Sequence, residues 1–79
     1  MSDNSIYERV KKVIIGLTGL DESIVLESAD IYDDLGMEEL DCVELNIALE
    51  DEFNCTIPDD DFVTFRTVKD IVDFIEKHL

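Results

Sequence analysis

The spacing of apolar residues predicts three helices along the chain. In the first, they recur three or four positions apart, at Ile6, Val10, Val13, Ile14 and Leu17. Ser5 and Glu8 have the spacing of a capping box, in which two side chains bond reciprocally to the free amides at a helix start. The first helix is therefore predicted to begin at Ser5 and to end at Gly16 or Gly19.

The second helix is predicted from about Met37 to Phe53, and the last one after Thr67. Asp70 completes a second capping-box spacing with Thr67. The apolar face of this last helix comprises Val68, Ile71, Val72, Ile75 and Leu79. Because proline favours the first turn of a helix, a short additional helix is predicted over Pro58–Val63.

The segment Gly19–Gly36 shows no clear periodicity and is long for a loop in so short a chain. Its apolar residues are Leu20, Ile24, Val25, Leu26, Ile31, Tyr32 and Leu35. We expect them to hold the loop against the core. The 79 residues contain no repeat or linker, so residues 1–79 are expected to form a single, monomeric, all-α domain.

Two apolar stripes run along the second helix. The first comprises Cys42, Leu45, Leu49 and Phe53. The second, nearly opposite, comprises Leu40, Val43 and Ile47 and is bordered by Glu44 and Asp51. A helix in a small bundle needs only one buried stripe, and the first is predicted to be that one. Two interpretations of the second remain open: an exposed surface for a partner, or a second buried face.

Charge limits the function further. The 21 Asp and Glu residues against 6 Lys and Arg give a formal net charge of −15. Such a surface repels nucleic-acid phosphates and anionic lipids, so neither nucleic acid nor membrane is an expected partner. Basic patches on other proteins are expected instead, together with weak, nonspecific divalent cations. A hydrophobic content of 46% argues against disorder.

Metal and membrane signals are weak. The two cysteines do not form a CxxC motif, and His78 is the sole histidine, so no zinc site is predicted. A calcium loop starting at Asp30 would place Leu35 at the position that requires glycine. No apolar run approaches the roughly 20 residues of a membrane span. The polar start of the chain and its two cysteines favour the cytoplasm, and a disulfide between Cys42 and Cys55 is the alternative left open by the sequence.

The segment DLGMEELDCVEL, residues 34–45, resembles the modification-site motif DLGxDSLDxVEL of acyl carrier proteins. Residues 8–14 are similar to the first helix of that family, and Thr67-Val68 to the start of its last helix. Residues 48–53 and 57–59 are similar to its second helix and the following turn. The resemblance implies a four-helix bundle with a long first loop and a short third helix. It also implies a carrier rather than an enzyme.

Family members carry acyl chains on a phosphopantetheine arm attached to a serine, and they bind basic patches of acyl-chain synthases or transferases through an acidic second helix. This resemblance therefore implies fatty-acid or polyketide-type biosynthesis. The implied partner-binding residues are Glu38, Leu40, Asp41, Val43, Glu44, Ile47, Glu50, Asp51 and Ile57. An alternative is a cofactor-free regulatory or structural module that uses the same helix.

Glu39 stands at the position of the family's serine. Attachment needs a hydroxyl group, whereas a carboxylate would form an unstable mixed anhydride with phosphate. We therefore expect the chain to carry no cofactor. Cys42 is a conceivable direct thioester carrier, although a buried structural cysteine is commoner. Glu38 and Glu39 are adjacent carboxylates without a partner base, so no catalytic residue is predicted.

Overall fold

A computed structural model describes the backbone of residues 2–79 and the side chains of residues 6–79. The helices are α1 (Ser2–Thr18), α2 (Glu39–Phe53), α3 (Asp59–Phe62) and α4 (Val68–His78). Across the described chain the only β pairing is an isolated antiparallel bridge between Asp30 and Thr67. The predicted all-α fold, with a long first loop and a short third helix, is confirmed.

Helix α1 differs from its prediction at the start. It begins at Ser2, three residues before the predicted start, so Ser5 lies inside the helix. The predicted capping box of Ser5 with Glu8 lies outside the described residues. At the other end, Gly19 adopts a φ of 73° and donates its N–H to the Ile15 carbonyl at 2.8 Å. Glycine tolerates this left-handed conformation, and Gly19 therefore ends the helix.

Helices α2 and α4 begin in similar ways. At α4, Thr67 Oγ1 accepts the Asp70 N–H at 3.3 Å and Asp70 Oδ2 accepts the Thr67 N–H at 3.1 Å, as the spacing predicted. At α2, Asp41 Oδ2 accepts the Glu38 N–H at 2.9 Å. Helix α2 begins at Glu39, two residues later than predicted. Met37, which was predicted inside the helix, is buried before it and donates its N–H to the Ile31 carbonyl at 3.2 Å.

One hydrophobic core joins the four helices to the first loop. Its buried apolar side chains are Val10, Ile14, Val25, Ala29, Ile31, Leu35, Met37, Cys42, Leu45, Leu49, Phe53, Ile57, Phe62, Phe65, Val68, Ile71, Val72 and Ile75. The stripe of α2 that begins at Cys42 is thus buried, as predicted. Leu17 and Leu79, predicted on buried faces, are exposed: Leu17 lies in the last turn of α1, and Leu79 directly follows α4.

The first loop is held by backbone bonds to the start of α4. Ile31 N–H donates to the Arg66 carbonyl at 2.8 Å, and Val68 N–H donates to the Ala29 carbonyl at 3.1 Å. Arg66 also pairs with Asp30, with Nε to Oδ2 at 2.6 Å. These bonds satisfy loop groups that would otherwise need water, so an irregular segment can pack against the core.

The loop contributes fewer core side chains than predicted. Val25, Ile31 and Leu35 are buried, and Leu20 is partly buried. The remaining predicted side chains, of Ile24, Leu26 and Tyr32, are exposed. The loop meets the core along one side only, so neighbouring side chains in its turns point in opposite directions.

Candidate functional site

The second apolar stripe of α2 is exposed. Leu40, Val43 and Ile47 expose 70%, 51% and 62% of their surfaces. Of the two interpretations left open by the sequence, burial of both stripes is therefore excluded. Three large apolar side chains on one face of one helix form a patch of the kind that proteins use for association. We call Leu40, Val43 and Ile47 the outer stripe.

Carboxylates border the outer stripe, but they differ in exposure and in the bonds that they form within the domain. Glu44 and Asp51 are exposed and form no ion pair with the described residues. Asp41 and Glu50 are half-buried and each accepts a backbone N–H, that of Glu38 and that of Ile57 respectively. Glu44 and Asp51 are thus the carboxylates best placed to meet a basic partner.

Ile57 is a correction to the predicted surface. Its side chain is only 2% exposed and belongs to the core. Its N–H donates to Glu50 Oε2 at 2.7 Å, and its carbonyl accepts from Asn46 Nδ2 at 3.2 Å. Both backbone groups are therefore held by α2 while the side chain points inward. Ile57 positions the turn before α3 and does not contribute to an exposed surface.

Glu39 is the first residue of α2 and is exposed. The free backbone amides and the positive end of the helix dipole favour an anion there, by about 0.3–1 kcal/mol. Asp41, in the same turn, benefits from the same field. A carboxylate at position 39 is thus explained by helix stability alone. Helix α2 contains no serine or threonine anywhere along its length.

An open groove of about 490 Å³ runs beside α2, and Tyr32 of the first loop forms one of its edges. Its lining residues are Tyr32, Glu39, Cys42, Val43, Asn46, Asp59, Phe62 and Val63. Val43, Phe62 and Val63 give it an apolar wall, whereas Glu39 and Asp59 contribute carboxylates. Since Val43 also belongs to the outer stripe, the groove and the stripe share an edge.

Asn46 is a buried polar residue in this groove, with 8% of its surface exposed. Its Nδ2 donates to the Ile57 carbonyl at 3.2 Å and to Asp59 Oδ1 at 3.4 Å. Its Oδ1 is buried and accepts no hydrogen bond from the described groups. A buried acceptor without a partner costs roughly 1–3 kcal/mol. Asn46 is not among the residues predicted from the sequence, although its position four residues after Cys42 places it on the buried face.

Cys42 lines the same groove next to Tyr32. Burial raises the pKa of the Cys42 thiol, and the charges of Asp41 and Glu39 raise it further. The hydrogen bond with Tyr32 acts in the opposite direction. Because the thiolate is the nucleophile, a thiol whose pKa is raised is poorly reactive near neutral pH. Burial together with a raised pKa is typical of a structural cysteine.

The acidic cluster of the first loop is engaged in internal bonds. Asp30 Oδ1 accepts the N–H groups of Tyr32 and Asp33, both at 2.8 Å. Asp34 Oδ2 accepts the Asp30 N–H at 2.7 Å. Among the described side chains, no three acidic, cysteine or histidine residues are arranged as metal ligands.

These features together define an acyl-carrier-like domain: a four-helix bundle with a long first loop and an exposed, acidic second helix. The chain belongs to the carrier family whose model is described as a phosphopantetheine attachment site, which it matches over residues 8–75. Carrier domains of this family are not themselves enzymes. Within residues 2–79, no helix has both the length and the apolar run needed to cross a membrane.

Proposed function

We propose that this chain acts as a monomeric acyl-carrier-like binding domain that docks basic partner surfaces through α2 without carrying a phosphopantetheine arm. One observation carries this proposal: the outer stripe is exposed on α2 and lies between carboxylates that no described basic residue neutralises. A net charge of −15 opposes association between copies. Two free cysteines suit a reducing compartment such as the cytoplasm.

The start of α2 does not fit covalent attachment of the family's cofactor. In the resemblance to acyl carrier proteins, Glu39 takes the place of the modified serine, and a phosphodiester link requires a hydroxyl oxygen. Glu39 offers a carboxylate, and neither serine nor threonine occurs on α2. The tyrosine hydroxyl on the neighbouring loop, that of Tyr32, belongs to a different element and does not begin a helix. No step of the proposed function therefore passes through this cofactor.

Docking would combine burial of the apolar outer stripe with electrostatic steering by the carboxylates around it. Burial of an exposed leucine, valine or isoleucine side chain is worth about 1.5–3 kcal/mol, so the outer stripe can supply most of the affinity. Glu44 and Asp51 would meet lysine or arginine at the rim and mainly accelerate association. Synthases or transferases of fatty-acid or polyketide-type biosynthesis have the expected partner chemistry. Weak binding of divalent cations would relieve the remaining repulsion.

A second function is a cofactor-free regulatory or structural module. The observation that favours it is the retention of the docking face on a helix that begins with Glu39. Such a module would occupy the surface of an enzyme where carrier proteins dock. It would thereby prevent an acyl-loaded carrier protein from binding there.

Attachment is tested by intact-mass spectrometry after incubation with coenzyme A and a broad-specificity phosphopantetheinyl transferase. The wild-type chain is expected to keep its mass, and Glu39→Ser is expected to gain the arm. Glu38→Ser, which places a hydroxyl one residue away, is the matched control and is expected to stay unmodified. A mass gain by the wild-type chain would contradict the proposal and require a different attachment residue.

Docking is tested by titrating a purified acyl-chain synthase and a purified acyltransferase with the charge-reversed variant Glu44→Lys/Asp51→Lys. Binding to the partner should weaken roughly tenfold at low ionic strength, since each exposed pair is worth about 0.2–1 kcal/mol. A variant with the same change in net charge, Glu22→Lys/Glu27→Lys on the first loop, serves as the control. If both variants bind the partner equally well, α2 is not the docking surface.

A further inference from the structure

We propose that the Arg66 side chain is an ionic clasp that couples the start of α4 to residues 31–37, the segment that leads into α2. Release of this clasp is expected to loosen the segment while the four helices stay folded. The inference concerns motion within the domain, so it does not depend on docking through α2. We call the contacts of the Arg66 guanidinium with Asp30 and Asp33 the Arg66 clasp.

Arg66 is fixed to the start of α4 and holds the first loop at the same time. Its backbone N–H donates to Asp70 Oδ2 at 2.8 Å, and its carbonyl accepts the Ile31 N–H at 2.8 Å. Its guanidinium reaches the loop through two further bonds, from Nε to Asp30 Oδ2 at 2.6 Å and from Nη2 to Asp33 Oδ2 at 3.2 Å. One residue thus joins α4 to the loop by both its backbone and its side chain.

Asp30 extends this attachment into the turns of the loop. Its Oδ1 accepts two backbone N–H groups of the loop, both at 2.8 Å, and its backbone carbonyl accepts those of Asp34 at 2.9 Å and Leu35 at 3.0 Å. The backbone N–H of Asp33 lowers the pKa of the Asp30 carboxyl, desolvation opposes this, and the Arg66 guanidinium lowers it further. The carboxylate that organises these turns is therefore the one that Arg66 holds in place.

The same turns continue to the residues before α2. Gly36 N–H donates to the Tyr32 carbonyl at 3.1 Å, and Met37 N–H donates to the Ile31 carbonyl at 3.2 Å. A segment this short does not keep such turns by itself, so they depend on its attachment to the rest of the domain. Ile31, Leu35 and Met37 are buried and supply part of that attachment. Release of the Arg66 clasp should therefore open the turns more often without unfolding the domain.

The Arg66 clasp is exposed enough to respond to ionic strength. The side chains of Arg66 and Asp33 expose 62% and 75% of their surfaces, and that of Asp30 exposes 19%. Salt screens ion pairs at such positions. Asp34 and Asp70 lie beside the clasp, since they accept the backbone N–H groups of Asp30 and Arg66. Without the guanidinium, these neighbouring carboxylates would repel one another, so the clasp matters most at low ionic strength.

The proposal is tested by amide hydrogen exchange, followed by NMR on the ¹⁵N-labelled full chain. The amides of Asp34, Leu35, Gly36 and Met37 donate to loop carbonyls and not to the clasp itself. In Arg66→Gln they are expected to exchange roughly three- to tenfold faster than in wild type at low ionic strength, the range for two lost exposed ion pairs. Amides in the cores of α1, α2 and α4 should keep their rates. The ratio between variant and wild type should fall towards one in about 1 M salt.

Arg9→Gln is the matched control. It removes the same charge from an arginine near the end of α2, where Arg9 Nε meets Glu52 Oε2 at 2.9 Å, and it should leave the exchange of residues 34–37 unchanged. A salt series on wild type needs no variant: the same amides should exchange faster with added salt relative to that of Gly19, which a helix-end bond holds. Equal rates in wild type and folded Arg66→Gln, equal acceleration by Arg9→Gln, or no relative response to salt would overturn the proposal.

Discussion

Helices α2 and α4 begin alike but present different surfaces. In each, an aspartate at the third helical position, Asp41 or Asp70, accepts the N–H of the residue before the helix. Helix α4 buries the apolar residues Val68, Ile71, Val72 and Ile75. Its exposed or partly exposed positions are largely polar. Helix α2 buries a comparable stripe and also exposes Leu40, Val43 and Ile47.

This difference between α2 and α4 distinguishes the apolar residues that folding requires from those that it does not require. A bundle helix needs one apolar face, and α4 has one. More than half of the surface of each outer-stripe side chain contacts water, so the stripe gains less from folding by the hydrophobic effect than a buried stripe does. Its exposed carboxylates keep such a surface hydrated and oppose self-association. The surplus of apolar residues on α2 therefore supports the proposed docking surface.

The largest expected effect separates the two faces of α2. Leu45 is fully buried, so Leu45→Ala should lower the free energy of unfolding by about 2–5 kcal/mol through lost burial and the cavity left behind. Leu40 is 70% exposed, so Leu40→Ala should change it by less than about 0.5 kcal/mol. Urea denaturation of both variants at neutral pH measures the difference.

Helix α4 supplies the control for this measurement. Ile71 is fully buried there, and Ile71→Ala should lower the free energy of unfolding by a similar amount to Leu45→Ala. A loss of more than about 1 kcal/mol in Leu40→Ala would mean that the outer stripe is packed within the domain. The proposed docking surface would then be wrong.

Much of this architecture follows from local patterns in the sequence. The buried face of α2, the capping box of Thr67 with Asp70 and the short helix after Pro58 were predicted because each depends on residues within a few positions of one another. Apolar spacing identified both stripes of α2. It left open whether the outer stripe was buried, because burial depends on where the other helices pass.

The features that were missed depend on contacts between distant segments. Asn46 and Glu50 hold the turn before α3 through Ile57, seven to eleven residues along the chain. Periodicity does not report such side chain to backbone bonds, and Ile57 was wrongly placed on the docking surface as a result. Exposure of Ile24 and Leu26 likewise depends on the path of the first loop, which its bonds to residues 66–69 determine.

A smaller effect sharpens the comparison of the two helix starts. Asp70 Oδ2 accepts two backbone N–H groups, from Arg66 at 2.8 Å and from Thr67 at 3.1 Å, whereas Asp41 accepts the Glu38 N–H. Asp70→Ala should therefore lower the free energy of unfolding by about 1–2 kcal/mol, and Asp41→Ala by about 1 kcal/mol or less. Both variants remove one negative charge, so the general relief of repulsion is similar. Urea denaturation at pH 7 ranks them, and the reverse order would contradict the hydrogen-bond assignment.

The smallest effect is the acid sensitivity of the α4 start. The backbone N–H of Arg66 lowers the pKa of Asp70, with further lowering by Thr67, and partial burial opposes both. Because its folded-state pKa is depressed, Asp70 contributes stability that is present above the ordinary aspartate value of about pH 4 and is lost as pH falls through the lower folded-state value. Asp70→Asn should thus lose less stability than wild type between about pH 4 and the acid midpoint. Leu40→Ala, which alters no titratable group, should follow the wild-type pH dependence. The measurement is urea denaturation at stepped pH values. If Asp70→Asn and wild type lose stability identically below about pH 4, the ionised carboxylate does not hold the α4 cap. The two helix starts would then differ less than their hydrogen bonds indicate.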